Sequence, residues 1–325
     1  MKEEEIRPEA IFNRYLELAA ADAQKYFESS LRTPIACPAC GSSGSPAFEK
    51  HGFSYEECPR CKTLYVSPRP AAEAFSRFYQ EASSVAYWAD TFYPVTAEAR
   101  REKLWKPKAR IVYDYLESVD YAKSTVVDIG GGYGIFAEEY QKISGQAVLI
   151  IEPNPPLARA CRGRGLKVVE GFLADISTEE LPAGPLTFTS FELFEHLHNP
   201  KRFMGHVYDL MRSGDKMVFT TLSGAGVDIR ALWKDSKSVF PPHHLNFFNP
   251  VSTKPFLEQL GFVDVRITTP GKLDIDIMFK NLDKVKDRFW QVFLAQADEK
   301  QRNAFQQLVS EQGWSSHMMT VCTKP

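Results

Sequence analysis

The sequence predicts an α/β chain: a mostly parallel sheet of seven strands, covered by helices on both faces, with a small four-cysteine module on its N-terminal side. Three observations lead there. Short β-branched runs alternate with helical patterning from residue 124 onward. A glycine-rich turn follows the first of those runs, and two Cys-x-x-Cys pairs stand close together before residue 70. Strands alternating with helices imply crossover connections, hence parallel strands buried on both faces.

Residues 3–32 read as helix, with Ile6, Ile11, Phe12, Tyr15, Leu16, Leu18 and Ala19 at helical spacing and Pro34 as the stop. The first 36 residues therefore form an N-terminal helical segment. Residues 37–70 are rich in Cys, Gly, Ser and Pro, with β-like stretches around Phe48 and at Leu64-Tyr65-Val66. Residues 71–122 return to helical patterning through Phe75, Phe78 and Tyr79, then Trp105 to Leu116. Within them, Tyr87-Trp88 and Phe92-Tyr93 serve either as core of this linker or as a lid over a pocket. Residues 123–325 hold the sheet. Strands are expected at 125–129, 147–151, 166–169, 186–190, 216–221, 262–268 and 317–323, with amphipathic helix over 283–312.

The 325 residues are 44% hydrophobic and 25% charged, with net charge -2, which offers no global attraction to nucleic acid or to an anionic membrane. No apolar run approaches the ~20 residues that span a bilayer. The opening stretch MKEEEIRPEA has no apolar core of a secretory signal. These features lead to the expectation of a cytoplasmic protein with neither membrane nor nucleic acid as partner. The oligomeric state is left open.

The strongest chemical signal is Val126-Val127-Asp128-Ile129-Gly130-Gly131-Gly132-Tyr133-Gly134. Glycines after a buried strand let the backbone approach a ligand, and the next helix offers free N–H groups at its start. Glu152 ends the next strand, 20 residues after Gly132, where an acid binds ribose hydroxyls in nucleoside sites. The dinucleotide pattern GxGxxG fails, because its third glycine would fall on Ile135. The observed Asp-x-Gly-x-Gly-x-Gly (Asp128, Gly130, Gly132, Gly134) resembles motif I of class I S-adenosylmethionine (SAM)-dependent methyltransferases, whose fold is Rossmann-like.

The resemblance covers roughly residues 70–325. It includes Leu149-Ile150-Ile151-Glu152-Pro153, Ser190-Phe191-Glu192-Leu193-Phe194-Glu195-His196-Leu197, Leu210 to Asp215, and Pro242-His243-His244-Leu245-Asn246-Phe247-Phe248 followed by Leu260-Gly261-Phe262. It implies SAM as cofactor, with Asp128 facing the methionine amino group and Glu152 on the ribose. Two departures stand out: the acid often found beside adenine is replaced by Glu170-Gly171-Phe172-Leu173, and the acid that often opens the fourth strand is missing. The adenine is then expected to stack on Phe172, with Asp175 a weaker substitute.

Cys37-Pro-Ala-Cys40 and Cys58-Pro-Arg-Cys61 are separated by 17 residues. Two such knuckles converge on one tetrahedral ion, so Zn2+ held by Cys37, Cys40, Cys58 and Cys61 in a zinc ribbon is expected. Four thiolates leave no open position, which makes the zinc structural. Zinc ribbon before SAM domain, and Tyr65-Val66-Ser67-Pro68-Arg69-Pro70 after the last cysteine, resemble methyltransferases acting on nucleotide-linked deoxysugars.

Methyl transfer needs alignment of the acceptor, plus a base when a hydroxyl or an acidic carbon is methylated. His243 and His244 after the fifth strand, and Glu192 and His196 at the end of the fourth, are the candidates. Each also has a purely structural reading. His51, His198, His206 and His317 carry no signal above ordinary positions. The expected function is methyl transfer to oxygen or carbon of a small-molecule acceptor, with a sugar or sugar-linked metabolite as one candidate. Its rivals are an RNA or protein methyltransferase docking through the zinc ribbon, and a non-catalytic interaction protein on a SAM fold.

Overall fold

The computed structural model describes residues 2–325. The N-terminal segment is broken where one helix over 3–32 was expected: a single turn, Glu3–Glu5, precedes a helix at Glu9–Phe27. Pro8 is the reason, since it offers no N–H to continue a helix through it. Next come β1 (Arg32–Thr33), β2 (Ser45–Lys50), β3 (Phe53–Glu57), β4 (Leu64–Val66) and β5 (Arg69–Pro70). Strand β1 pairs with β5, closing the base of the cysteine module.

The seven strands of the main sheet are β6 (Thr125–Ile129), β7 (Val148–Glu152), β8 (Lys167–Glu170), β9 (Leu186–Phe191), β10 (Lys216–Leu222), and, after the short β11 (Asn246–Phe247), β12 (Val263–Thr268) and β13 (His317–Thr323). Their order is β12-β13-β10-β9-β6-β7-β8, and only β13 runs antiparallel to its neighbours. This is the seven-stranded, mostly parallel, Rossmann-like sheet that the sequence predicts. Boundaries lie within a residue of the sequence reading. The amphipathic stretch near the C-terminus is two helices, Arg288–Gln296 and Glu299–Glu311, the second capped by Asp298.

Alternation along the strands sends side chains to opposite faces. Val127, Ile129, Leu149, Ile151 and Phe188 join one buried cluster. Val126, Val148, Ile150 and Val218 join the other. From β6 the chain moves outward to β8, then crosses to β9 on the other side of β6. Such a reversal opens a crevice at the carboxyl ends of the strands.

The cysteine module is not an appendage. Its sheet has the order β11-β4-β3-β2, so its edge is completed by two residues from far along the chain. Strands β3 and β11 went unseen in the sequence reading, β11 because two residues carry no periodicity. Cys37, Cys58 and Cys61 pack in the same cluster as Phe194, Phe248 and Phe256.

Candidate active site

The chain leaves β6 through Gly130, Gly132 and Gly134, all with positive φ. Two of these glycines do different jobs. A Cβ on Gly134 would lie 2.5 Å from Leu166 Cδ1 and 2.9 Å from Cys161 Sγ, so glycine there is required by packing. A Cβ on Gly132 would meet nothing within 4 Å, because this residue opens onto the crevice. Gly131, which the sequence reading did not single out, would place a Cβ 2.9 Å from Asp128 Oδ2.

Asp128 is buried and accepts a hydrogen bond from Thr189 Oγ1 at 2.8 Å. Burial pushes its carboxyl up to about 7, Thr189 counteracting and Glu152 adding. Glu152 closes β7 and accepts the N–H groups of Gly132 and Asn154, each at 2.9 Å, which ties the glycine turn to the next strand. Burial raises its carboxyl too. Among the described residues neither acid has a basic partner. Two buried carboxylates beside a cradle that a Cβ would fill suit a ligand bearing an ammonium and a diol, and SAM bears both. Phe172 lies two residues past β8 and is 65% exposed, a free aromatic face beyond the same strand ends.

A second group of polar side chains, past the end of the neighbouring strand, is built around Glu192, just past β9, at φ 52. Lys108 Nζ and Thr220 Oγ1 each donate to its Oε1 at 2.8 Å, and His317 Nδ1 lies 3.5 Å away. Burial alone would raise this carboxyl. The Lys108 ammonium and His317 instead hold it well below the usual range. Glu192 is therefore a fixed anion and a poor proton acceptor. Glu195, fully buried, accepts from Thr221 Oγ1 at 2.8 Å; burial and the charge on Glu192 push it up to about 8.

His196, His243 and His244 cluster, with ring centroids 4.8 Å apart for His196–His244 and 6.0 Å for His196–His243. Burial drives His243 down to about 3 and His244 to about 4, and pushes His196 well below its ordinary value. All three are neutral at pH 7. His243 stacks on Phe240 and its Nε2 has no hydrogen-bond partner among the described residues. His244 Nδ1 lies 2.6 Å from the Ser238 carbonyl oxygen.

The aromatic stretch packs in two directions. Tyr93 stacks on Tyr133 of the glycine turn at 4.1 Å and 11°, and the Tyr133 hydroxyl donates to the Ala89 carbonyl. Trp88 and Phe92 pack on Tyr15 of the N-terminal helix. Arg101 bonds both Glu138 and Glu139, which fixes this segment to the helix after the turn.

The methyltransferase domain family matches residues 96–267, more than half of the chain. The chain belongs to this family. As a methyltransferase it has solved structural neighbours of low sequence identity. A SAM-dependent methyltransferase from Archaeoglobus fulgidus is 21% identical, with 66% of this chain and 94% of that one covered and a TM-score of 0.44. A possible histamine N-methyltransferase from Thermotoga maritima is 17% identical over 72% and 98%, at 0.41. The apo form of the methyltransferase SibL is 14% identical over 77% and 62%, at 0.48. No curated protein matches the chain in sequence.

The family match begins at residue 96, so the cysteine module of this methyltransferase lies outside it. Its four ligand atoms lie within 4.8 Å of one another, Cys37 Sγ to Cys61 Sγ at 3.6 Å and Cys40 Sγ to Cys58 Sγ at 3.5 Å. Tetrahedral zinc with bonds of about 2.3 Å sets its sulfurs about 3.8 Å apart. Each pair sits on the same turn: Gly41 N–H bonds the Cys37 carbonyl, and Lys62 N–H the Cys58 carbonyl. Gly41 and Lys62 both take positive φ there.

The module is also joined to the histidine wall of the methyltransferase. Asn249 Nδ2 donates to the Cys61 carbonyl at 2.8 Å. Arg69, buried, donates to the His198 carbonyl at 2.6 Å and to Asn246 Oδ1 at 2.8 Å. Lys108 and Thr220 escaped the sequence reading, and His317 was read there as an ordinary position. His317 faces Leu222 only because the last strand runs antiparallel to β10, a fact of topology that no local pattern carries.

Proposed function

We propose that this methyltransferase uses SAM to methylate an oxygen or carbon of a small-molecule acceptor, a sugar or sugar-linked metabolite among the candidates. The observation that carries the reading is Gly132, which has open space where a Cβ would stand, donates its N–H to the buried Glu152, and follows the buried Asp128 in the same turn. Asp128 would take the ammonium of SAM, Gly130, Gly132 and Gly134 would shape the turn beneath it, Glu152 would hold the ribose, and Phe172 would cover the adenine. SAM supplies an activated methyl group. What remains for the chain is alignment and removal of one proton.

In this reading His243 takes that proton, because its Nε2 carries no hydrogen bond among the described residues and its ring lies beside His196. His196 and His244 hold the acceptor beside it. Glu192, fixed by Lys108 and Thr220, sets a negative charge that acts on His196 and His244. Cys37, Cys40, Cys58 and Cys61 hold Zn2+ as a structural ion, supported by sulfur spacings close to tetrahedral. Among the described residues no helix is long and apolar enough to cross a membrane.

The test is calorimetric titration with SAM and S-adenosylhomocysteine, with NAD as control, followed by an acceptor screen with methyl-labelled SAM. Micromolar binding of the first two and none of NAD is expected. Absence of SAM binding sinks the donor site. Methylation of RNA or protein in place of small molecules would overturn the acceptor class.

A further inference from the structure

The segment just past β9 holds a second group of metal-ligating side chains, separate from the cysteines. One carboxylate oxygen of Glu195 and one ring nitrogen each of His196 and His244 lie within 4.8 Å of one another. Glu195 and His196 are consecutive in the turn Phe194–His196 just past β9. His244 comes from the loop before β11, and a backbone bond from Leu245 N–H to the Glu195 carbonyl, 2.8 Å, fastens the two segments together.

The outer partners orient the set. A carbonyl acceptor on His244 Nδ1 requires the proton to sit there, which leaves the Nε2 lone pair free. A metal-ligating histidine is held in that way. Thr221 Oγ1 fastens Glu195 Oε2 and leaves the other oxygen available. Among the described residues Glu195 has no Lys or Arg in ion-pair contact, so no protein cation occupies its second oxygen.

We propose that Glu195, His196 and His244 bind a divalent transition-metal ion on the acceptor side of the crevice. Bonds of about 2.0–2.2 Å place ligand atoms no more than ~4.4 Å apart, so a small side-chain adjustment closes the set. Two imidazoles and a carboxylate suit zinc, iron, cobalt or nickel better than magnesium or calcium. Three protein ligands leave a coordination position for an acceptor oxygen, and an ion there favours its deprotonation. That last step rests on the methyl-transfer reading. Ion binding does not.

The experiment loads the full chain with Co2+ and combines metal content with the visible absorption spectrum. The wild type is expected to hold two cobalt populations, one with the intense thiolate charge-transfer bands of the cysteine site and one with weaker bands from nitrogen and oxygen ligands. His244→Ala and Glu195→Gln each lose the second and keep the first, which also reports that the variant is folded. His51→Asn keeps both. A wild type with thiolate-bound cobalt alone, or a second population unchanged in both variants, overturns the proposal. SAM titration on the same samples separates the readings: a lost ion with intact SAM binding removes the metal site only, and absent SAM binding removes the methyl-transfer reading only.

Discussion

The two walls of the crevice are assembled differently. The glycine wall comes from one strand, one turn and the strand after it, Asp128 through Glu152. The histidine wall gathers Lys108 from a helix before the sheet, Glu192 to His196 after β9, Thr220 from β10, His243 and His244 from a loop, and His317 from the last strand. It also leans on the cysteine module through Arg69 and Asn249. A wall made of neighbours in sequence is specified by a motif. A wall made of distant segments is specified by topology and by whatever clamps those segments together.

The largest expected effect tests that clamp. Cys37→Ser should lose the bound metal and cooperative folding, since a structural zinc site contributes about 10 kcal/mol or more and a domain has only ~5–15 in hand. Thermal unfolding with metal analysis checks this. A variant with wild-type midpoint would show that the histidine wall stands without the module.

Next in size, Gly132→Val should weaken SAM binding at least ~100-fold. A branched side chain there adds left-handed strain of roughly 1–2 kcal/mol and fills the open face. Its counterpart on the other wall, His243→Gln, should leave SAM affinity nearly unchanged while turnover falls ~100-fold or more. Equal effects of both variants on SAM titrations would erase the division between the walls.

A smaller effect is a pH dependence confined to the glycine wall. The Asp128 carboxyl, raised to about 7, is protonated below that pH and cannot pair with the ammonium of SAM. Affinity should therefore climb as pH rises, by up to about tenfold per unit below pH 7, and level off above it. The sign for the free protein is the reverse. A raised carboxyl favours the folded state at low pH, and that contribution is lost as pH rises through about 7. Asp128→Asn should flatten both profiles, and an unchanged slope would remove Asp128 from the ligand. The smallest change is Tyr93→Ala, which removes a ring stack worth ~0.5–1.5 kcal/mol over the turn. SAM affinity should fall by at most about tenfold.

The same division explains what could be read in advance. All seven strands of the sheet were legible: the central ones are buried on both faces and read as short apolar runs, and the more exposed edge strands β8 and β12 still stand out as β-branched runs between turn residues. Asp128, Gly132 and Glu152 were legible because the motif is continuous. Glu192, His196, His243 and His244 were visible as residue types near strand ends, without their partners. Lys108 and Thr220 were invisible and His317 read as ordinary, since helical and strand patterning gives no hint of what faces a crevice. The break at Pro8 was legible in principle. Helical spacing on both sides of it outweighed the missing donor. Strand β11 is legible only from its partner β4.

Strand β11 also decides how the cysteine module can be handled. Half of the pairing on β4 comes from residues about 180 positions downstream, so the module cannot be cut out and carried elsewhere as residues 37–70. An excised copy would present β4 as a bare edge, with Leu64, Tyr65 and Val66 stripped of their cover, and exposed edges of that kind recruit other chains. Any transplant has to bring the histidine loop with it. In this protein the cysteine module and the histidine loop have to be moved together.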